Sequence, residues 1–320
     1  MKLIIQIPCY NEEETLPITF SQLPRRIEGV DEIEYLIIND GSQDKTVEVA
    51  KSLGIHHIVN FPNNRGLAKA FMAGIDASLR LGADIIVNTD ADNQYCGFDI
   101  EKLVRPILDG NAQMVIGDRD TDSIEHFSNM KKKLQKVGSG VVRFLSHTDV
   151  IDTTSGFRAY SRDAAMHLNV ISEYTYTLET IFNAGHNKLS IENIKIETND
   201  KLRESRLFKS MWGYIKKSGT TIIRTYSMLR PLKLFLFIGL ICIFLGAGIG
   251  VRYLWFMLNG DGAGHIQSLI LSTIFILIGV QASFFGLIAD AIAANRKINT
   301  EILYRLKKIE YDQLAQFKQK

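Results

Sequence analysis

The 320-residue sequence predicts an α/β fold with a mostly parallel sheet, followed by basic interfacial amphipathic helices and a two-helix transmembrane hairpin. Short apolar runs alternate with helical patterns from Leu3 to Gly117, polar residues gather where those runs end, and two long uncharged stretches lie beyond residue 230. Alternating β and α segments imply a parallel sheet covered by helices on both faces.

Strands are expected at Leu3–Ile7, Glu34–Ile38, Ile55–Asn60, Ile85–Asn88 and Met114–Gly117. Helices are expected at Glu13–Ile27, from about Lys45 to Leu53, and at Leu67–Leu81, where apolar residues recur at helical spacing. Ligands of such sheets bind at the carboxyl ends of the strands. The polar clusters fall there: Pro8-Cys9-Tyr10-Asn11-Glu12, Asn39-Asp40-Gly41-Ser42, Thr89-Asp90-Ala91-Asp92 and Gly117-Asp118-Arg119. One such cluster is ordinary turn chemistry. Their recurrence along one sheet edge points to a site. Asp90 and Asp92 offer hard oxygen ligands suited to Mg²⁺ or Mn²⁺, whose shell is completed by water and substrate phosphates. The sequence has neither a G-x-x-x-x-G-K-[ST] phosphate loop nor a G-x-G-x-x-G fingerprint, which removes the main support for kinase or dehydrogenase chemistry.

Leu234 to Val251 and Ile266 to Ala289 carry no charge, and each run approaches or exceeds the ~20 residues that span a bilayer. Buried core helices are the alternative, disfavoured because such helices rarely lack charge over this length. The short glycine-rich connection Asn259–His265 makes the pair an antiparallel hairpin, and the Lys and Arg residues on both flanks place both flanks in the cytoplasm. Gly246 and Gly250 form a small-xxx-small pair for close helix packing, within one chain or between chains. Residues 201–233 hold nine Lys or Arg residues against one acid, Glu204, with apolar residues at helical spacing, a pattern suited to an anionic membrane surface. A solvated helix packed on its own domain is the alternative. Ile298, Ile302, Leu306, Ile309 and Leu314 form a stripe in the tail, suited to packing or homo-oligomer formation.

The expected organisation is a cytosolic α/β domain over 1–200, a basic juxtamembrane region over 201–231, a hairpin over 232–290 with spans near 232–258 and 266–289, and a cytosolic helix over 291–320. No signal peptide pattern is seen at the N-terminus. Cys9, Cys96 and Cys242 are widely spaced and read as reduced thiols. The net charge of +2 says little, and no nucleic-acid partner is expected.

Together Pro8-Cys9-Tyr10-Asn11-Glu12, Asn39-Asp40-Gly41-Ser42, Asn64-Arg65-Gly66 opening a helix and Asp90-Ala91-Asp92 resemble glycosyltransferase family 2, inverting enzymes of the GT-A fold. Thr154-Ser155-Gly156-Phe157-Arg158 is similar to a motif of the polyprenyl-phosphate glycosyltransferases, including dolichol-phosphate mannose synthases. Arg230-Pro231-Leu232 before the hairpin resembles the bacterial branch that loads undecaprenyl phosphate. The resemblance assigns Pro8, Tyr10, Glu12 and Asp40 to the nucleoside pocket, and Asp90 and Asp92 to the diphosphate and metal, with Asp92 the more direct ligand. Asn39 stands where the family commonly has an acid, so base contacts rest on Asp40. Neither Trp212 nor Trp255 follows an arginine, which argues against processive synthesis.

The implied reaction is transfer of a hexose from a nucleotide diphosphate sugar, UDP-glucose first and GDP-mannose second, to a polyprenyl phosphate. A nucleotide-binding membrane scaffold without catalysis is the rival class. Asp152 is a candidate to orient the acceptor or take a proton, or simply a loop acid. Arg119, Arg158, Arg203 and Arg206 are candidates for diphosphate or lipid phosphate, since guanidinium groups bind such oxygens in pairs. For Arg203 and Arg206, attraction to lipid headgroups is the alternative.

Overall fold

The computed structural model describes residues 1–120, 129–171, 175–200, 211–260 and 262–318, with side chains described except at 129–137, 211–218, 229, 262–263 and 315–318. Arg203 and Arg206 lie outside the described residues. The chain divides into two compact units, Met1–Ile222 with Leu303–Lys320, and Ile223–Ile302.

The first unit is built on a seven-stranded sheet of order β3-β2-β1-β4-β6-β5-β7. Its strands are β1 (Lys2–Cys9), β2 (Glu32–Asn39), β3 (His57–Asn60), β4 (Ile85–Asn88), β5 (Met114–Asp118), β6 (Arg158–Ser161) and β7 (Ile191–Lys195). Strands β1 to β4 pair in parallel, as do β5 and β7, while β6 runs antiparallel between β4 and β5. Helices on both faces explain why β1 and β4 are apolar on successive residues: Leu3, Ile4, Ile5, Ile85, Ile86 and Val87 are all buried.

The first five strands fall within about two residues of the sequence reading. The antiparallel β6 and the edge strand β7 are additions. The first helix, α1 (Leu16–Ser21), is much shorter than the expected Glu13–Ile27. Pro17 sits in its first turn, where a missing N–H costs nothing, and Pro24 bars its continuation. Helices α2 (Thr46–Ser52) and α3 (Leu67–Arg80) match their patterns, and α4 (Ile100–Leu108), α5 (Asn129–Ser146), α6 (Arg162–His167) and α7 (Thr177–His186) complete the layers. Helix α3 approaches the sheet through Gly74, where a Cβ would lie 2.7 Å from Ile38 Cδ1 and overlap the Gln6 side chain.

After α8 (Met211–Leu229), the second unit carries α9 (Pro231–Leu258) and the start of α10 (Ile266–Lys318). Both helices are long and apolar enough to cross a membrane, and most of their side chains are exposed. Small residues let them pack closely: Gly246 lies against Ser272 and Ile276, and Gly239 against Gly279 and Ser283. Ser272 Oγ donates to the Gly246 carbonyl at 2.6 Å. The small-residue contact is therefore made within one chain.

The tail is not a separate helix, since α10 continues unbroken to Lys318. Its C-terminal part belongs to the first unit. There Tyr311 Oη donates to Asp76 Oδ1 at 2.6 Å, Tyr304 Oη to Asp163 Oδ1 at 2.8 Å, and Glu310 pairs with Arg80 at 2.6 Å. Lys307 Nζ donates to the Leu168 carbonyl, and burial lowers the pKa of its ammonium group. The predicted stripe is on another face: Ile298, Ile302, Leu306 and Ile309 stay exposed.

Gly74→Ala should destabilise the protein by about 1–3 kcal/mol despite the better helix propensity of alanine, because the new methyl overpacks the helix–sheet contact. A lower thermal midpoint in detergent checks this; a raised one contradicts the packing account.

Candidate functional site

The site forms where the strand ends meet. At the end of β1, Asn11 adopts a left-handed conformation (φ 55°), tolerated by its short polar side chain. Its N–H donates to Ser42 Oγ at 2.9 Å, and its Oδ1 accepts from Gln43 N at 2.8 Å. Glu12 is buried and accepts from the Thr15 hydroxyl, while its N–H donates to Thr46 Oγ1. The loops after β1 and β2 are thus tied together before any ligand binds. Pro8 is buried within β1, and Tyr10 is partly exposed at the rim.

Asp40 is buried, and its two oxygens accept from the backbone N–H groups of Arg65 (2.7 Å) and Gly66 (2.9 Å). The Asn64-Arg65-Gly66 turn and the start of α3 are therefore held to the end of β2. Gly66 has φ 90°, a conformation that favours glycine. The residue expected from the sequence to contact the base thus has a structural task.

A second cluster surrounds Asp90. The Asp90 carboxylate lies against Gly156, where a Cβ would sit 3.2 Å from its Oδ2. Gly156 is held by its N–H donating to Tyr95 Oη (2.9 Å), and by its carbonyl accepting from Asn88 Nδ2 (2.9 Å) and Tyr176 Oη (3.3 Å). Gln6 Nε2 donates to Asn88 Oδ1 at 2.9 Å, and the Tyr176 ring stacks on Phe71 of α3 at 3.9 Å. Asp92 Oδ1 accepts from Gln94 N at 3.2 Å, closing a tight turn after the acidic pair. Burial pushes the Cys9 thiol well above its ordinary range, and the charges of Glu12, Asp44 and Asp90 add to that effect. Both clusters therefore lie around the end of β1.

Arg119 and Asp152 form a buried two-pronged ion pair, with Nε to Oδ2 at 2.7 Å and Nη2 to Oδ1 at 3.0 Å. Arg119 Nη2 also donates to Thr154 Oγ1, and Asp152 Oδ1 accepts from the N–H groups of Thr154 and Ser155. Burial alone would raise the Asp152 carboxyl, but the Arg119 guanidinium and the Thr154 donors hold it below the usual carboxylate range. A carboxylate so held is a poor proton acceptor. Asp118, at the end of β5, is shifted upward by burial.

Arg158 is not available as the expected phosphate ligand. It is fully buried, and its guanidinium donates to the carbonyls of Ser155, Thr177 and Thr153 and to Thr180 Oγ1. Its conspicuous position in the Thr154–Arg158 run reflects loop construction. Conversely, Gln6, Asn88, Tyr95 and Tyr176 were invisible as site components, because Gln6 and Asn88 sit inside apolar strands and the tyrosines are distant in sequence.

No group of three or more His, Cys, Asp or Glu side chains gathers as a metal cluster among the described residues. The donor chemistry still fits Mg²⁺ or Mn²⁺, which binds through one or two carboxylates plus phosphates and water. Asp90 and Asp92, at the turn after β4, could supply such carboxylates.

Residues 4–168 match Glycosyl transferase family 2. The chain belongs to glycosyltransferase family 2. This family member is 33% identical over 217 residues to UDP-N-acetylglucosamine–dolichyl-phosphate N-acetylglucosaminyltransferase of Methanococcus voltae, covering 60% of this chain and 83% of the relative. It is 26% identical over 326 residues to the prophage bactoprenol glucosyl transferase homolog of Escherichia coli, covering 96% of this chain and all of the relative. Among solved structures, glucosyl-3-phosphoglycerate synthase of Mycobacterium tuberculosis, crystallised with Mn²⁺ and uridine diphosphate, superposes with a TM-score of 0.54 at 18% identity, over 71% of this chain and 78% of that one. The glycosyltransferase thus has a GT-A-like α/β fold with two apolar membrane-span candidates near its C-terminus.

Asp152→Asn should cost about 3–5 kcal/mol, because it leaves the Arg119 charge buried without its partner. The folded carboxyl titrates below its unfolded value, so the pair's contribution is complete above the unfolded pKa and is lost as pH falls through the folded one. Thermal midpoints measured against pH should therefore fall less steeply on the acid side in the variant than in the wild type.

Asp40→Asn should loosen the Arg65-Gly66 turn, costing about 1–3 kcal/mol, since one of two backbone donors loses its acceptor. A lower thermal midpoint in detergent checks this; an unchanged one contradicts the structural role of the carboxylate.

Proposed function

We propose that the protein transfers a hexose from a nucleotide diphosphate sugar, UDP-glucose as first choice, to a membrane polyprenyl phosphate. The observation that carries this reading is the Asp90/Asp92 pair at the end of β4, on a family 2 chain that also has two apolar membrane-span candidates. Relatives named for bactoprenol, undecaprenyl-phosphate and dolichyl-phosphate transfer support the acceptor class. The hairpin crosses the membrane with both flanks in the cytoplasm, a placement supported by the Lys and Arg residues on each flank.

In this reading an acceptor phosphate oxygen forms a bond to the anomeric carbon as the bond to the diphosphate oxygen breaks, and the nucleoside diphosphate leaves with its electron pair. Configuration is inverted. A phosphate acceptor is already anionic, so no strong general base is required. That suits Asp152, whose carboxylate is committed to Arg119. A divalent cation held by Asp90 and Asp92 would offset the negative charge of the leaving diphosphate. Tyr10, Glu12 and Asp40 frame the nucleoside side, Glu12 and Asp40 through the loops they hold together. Arg119 keeps the loop after Asp152 against the site and adds positive potential near Asp90.

The test is transfer of radiolabelled sugar from UDP-glucose, GDP-mannose and UDP-N-acetylglucosamine to polyprenyl phosphate, with Mg²⁺ or Mn²⁺ added. Asp92→Ala should lower transfer by about 10²-fold or more while leaving the protein folded in membranes. Near-normal transfer in that variant removes the metal assignment, and no transfer from any donor by the wild type removes the catalytic reading.

A further inference from the structure

The turn that carries Asp92 is held from outside by a strap that precedes the basic segment. Residues 196–199 run along residues 94–99: Cys96 N donates to Glu197 O (3.3 Å), Glu197 N to Asp99 Oδ2 (2.6 Å) and Asn199 N to Gln94 O (3.0 Å). A single β-bridge joins Tyr95 to Thr198. At the end of the strap the Asn199 amide faces three oxygens. Its Nδ2 donates to Gln22 Oε1 at 2.9 Å, Asn93 O at 3.0 Å and Tyr95 O at 3.3 Å.

We infer that Asn199 is a positioning residue for the metal-binding turn, its side-chain amide acting on the carbonyls of Asn93 and Tyr95, which flank Gln94. The Gln94 N–H donates to Asp92 Oδ1, and the Gln94 carbonyl accepts from the Asn199 backbone N–H, so the main chain of the strap fixes Gln94 while the Asn199 side chain fixes its two neighbours. The Asn199 amide therefore holds the residue next to the carboxylate assigned to the cation. Asn93 holds a positive φ of 57°, a left-handed turn its short polar side chain tolerates, and the bond to its carbonyl fixes that turn from outside. Three oxygens converging on one point demand a donor group. A carboxylate of the same shape would oppose all three, so the requirement is for the amide and not for bulk. Tyr95, on the same turn, accepts from Gly156 N, so the strap also steadies the wall against which Asp90 lies.

The inference rests on the assignment of Asp92 to a divalent cation. Asn199→Asp and Asn199→Ala, made in the full chain, separate the two ideas. In metal-free protein, amide hydrogen exchange over residues 92–99 should rise about ten-fold in both variants, which reports local opening, while exchange in β1 and β4 stays as in the wild type. With uridine diphosphate present, the Mn²⁺ concentration for half-maximal binding, followed by the electron spin resonance of free Mn²⁺, should rise about five-fold or more. Exchange that is unchanged in both variants overturns the inference, as does unchanged Mn²⁺ uptake when the wild type binds the ion. A wild type that takes up no Mn²⁺ refutes the cation assignment instead, and faster exchange in the variants then still establishes the tether.

Discussion

The buried ion pair between Arg119 and Asp152 organises one half of the site. Two charges removed from water need each other and further donors, because the low-dielectric surroundings make an unpaired charge very costly. Arg119 satisfies this with both prongs on Asp152 and a third bond to Thr154, and Asp152 with two backbone donors. The end of β5 is thereby locked to the loop that leads into β6. That loop ends at Gly156, the residue against which Asp90 lies, so the position of one acidic side chain depends on an ion pair made elsewhere.

The other half depends on backbone donors rather than opposite charges. Asp40 gathers two N–H groups at the start of α3, and the Asn11, Ser42 and Thr46 bonds join the first two strand-end loops. Helix α3 touches both halves: its first turn is fixed by Asp40, its Phe71 stacks on Tyr176, and its last turns meet Tyr311 and Glu310 from the end of α10. The C-terminal segment is thus part of the fold that carries the site, although a long apolar stretch separates them in sequence.

Much of this was legible in advance. Strands β1 to β5 announced themselves as short apolar runs because both faces of a parallel sheet are buried, and the polar residues that follow them could not be accommodated inside. Asp90, Asp92, Asp40 and Glu12 were found on that ground. Strand β6 was hidden because Arg158-Ala159-Tyr160-Ser161 has no apolar run, its arginine being buried only through four specific acceptors. The same residue misled the functional reading, since a conspicuous arginine beside a motif looks like an anion ligand until its donors are counted.

The sequence by itself determined the α/β alternation, the edge where polar residues collect and the two apolar helices, since each follows from local periodicity and charge. Tertiary structure alone decided which carboxylate is spent on a buried charge. Asp92 and Asp152 both sit in polar loop segments, yet one accepts from the neighbouring Gln94 N–H in a half-buried turn and the other is locked to Arg119. That difference comes from a partner 33 residues away, and short-range patterns carry no record of it.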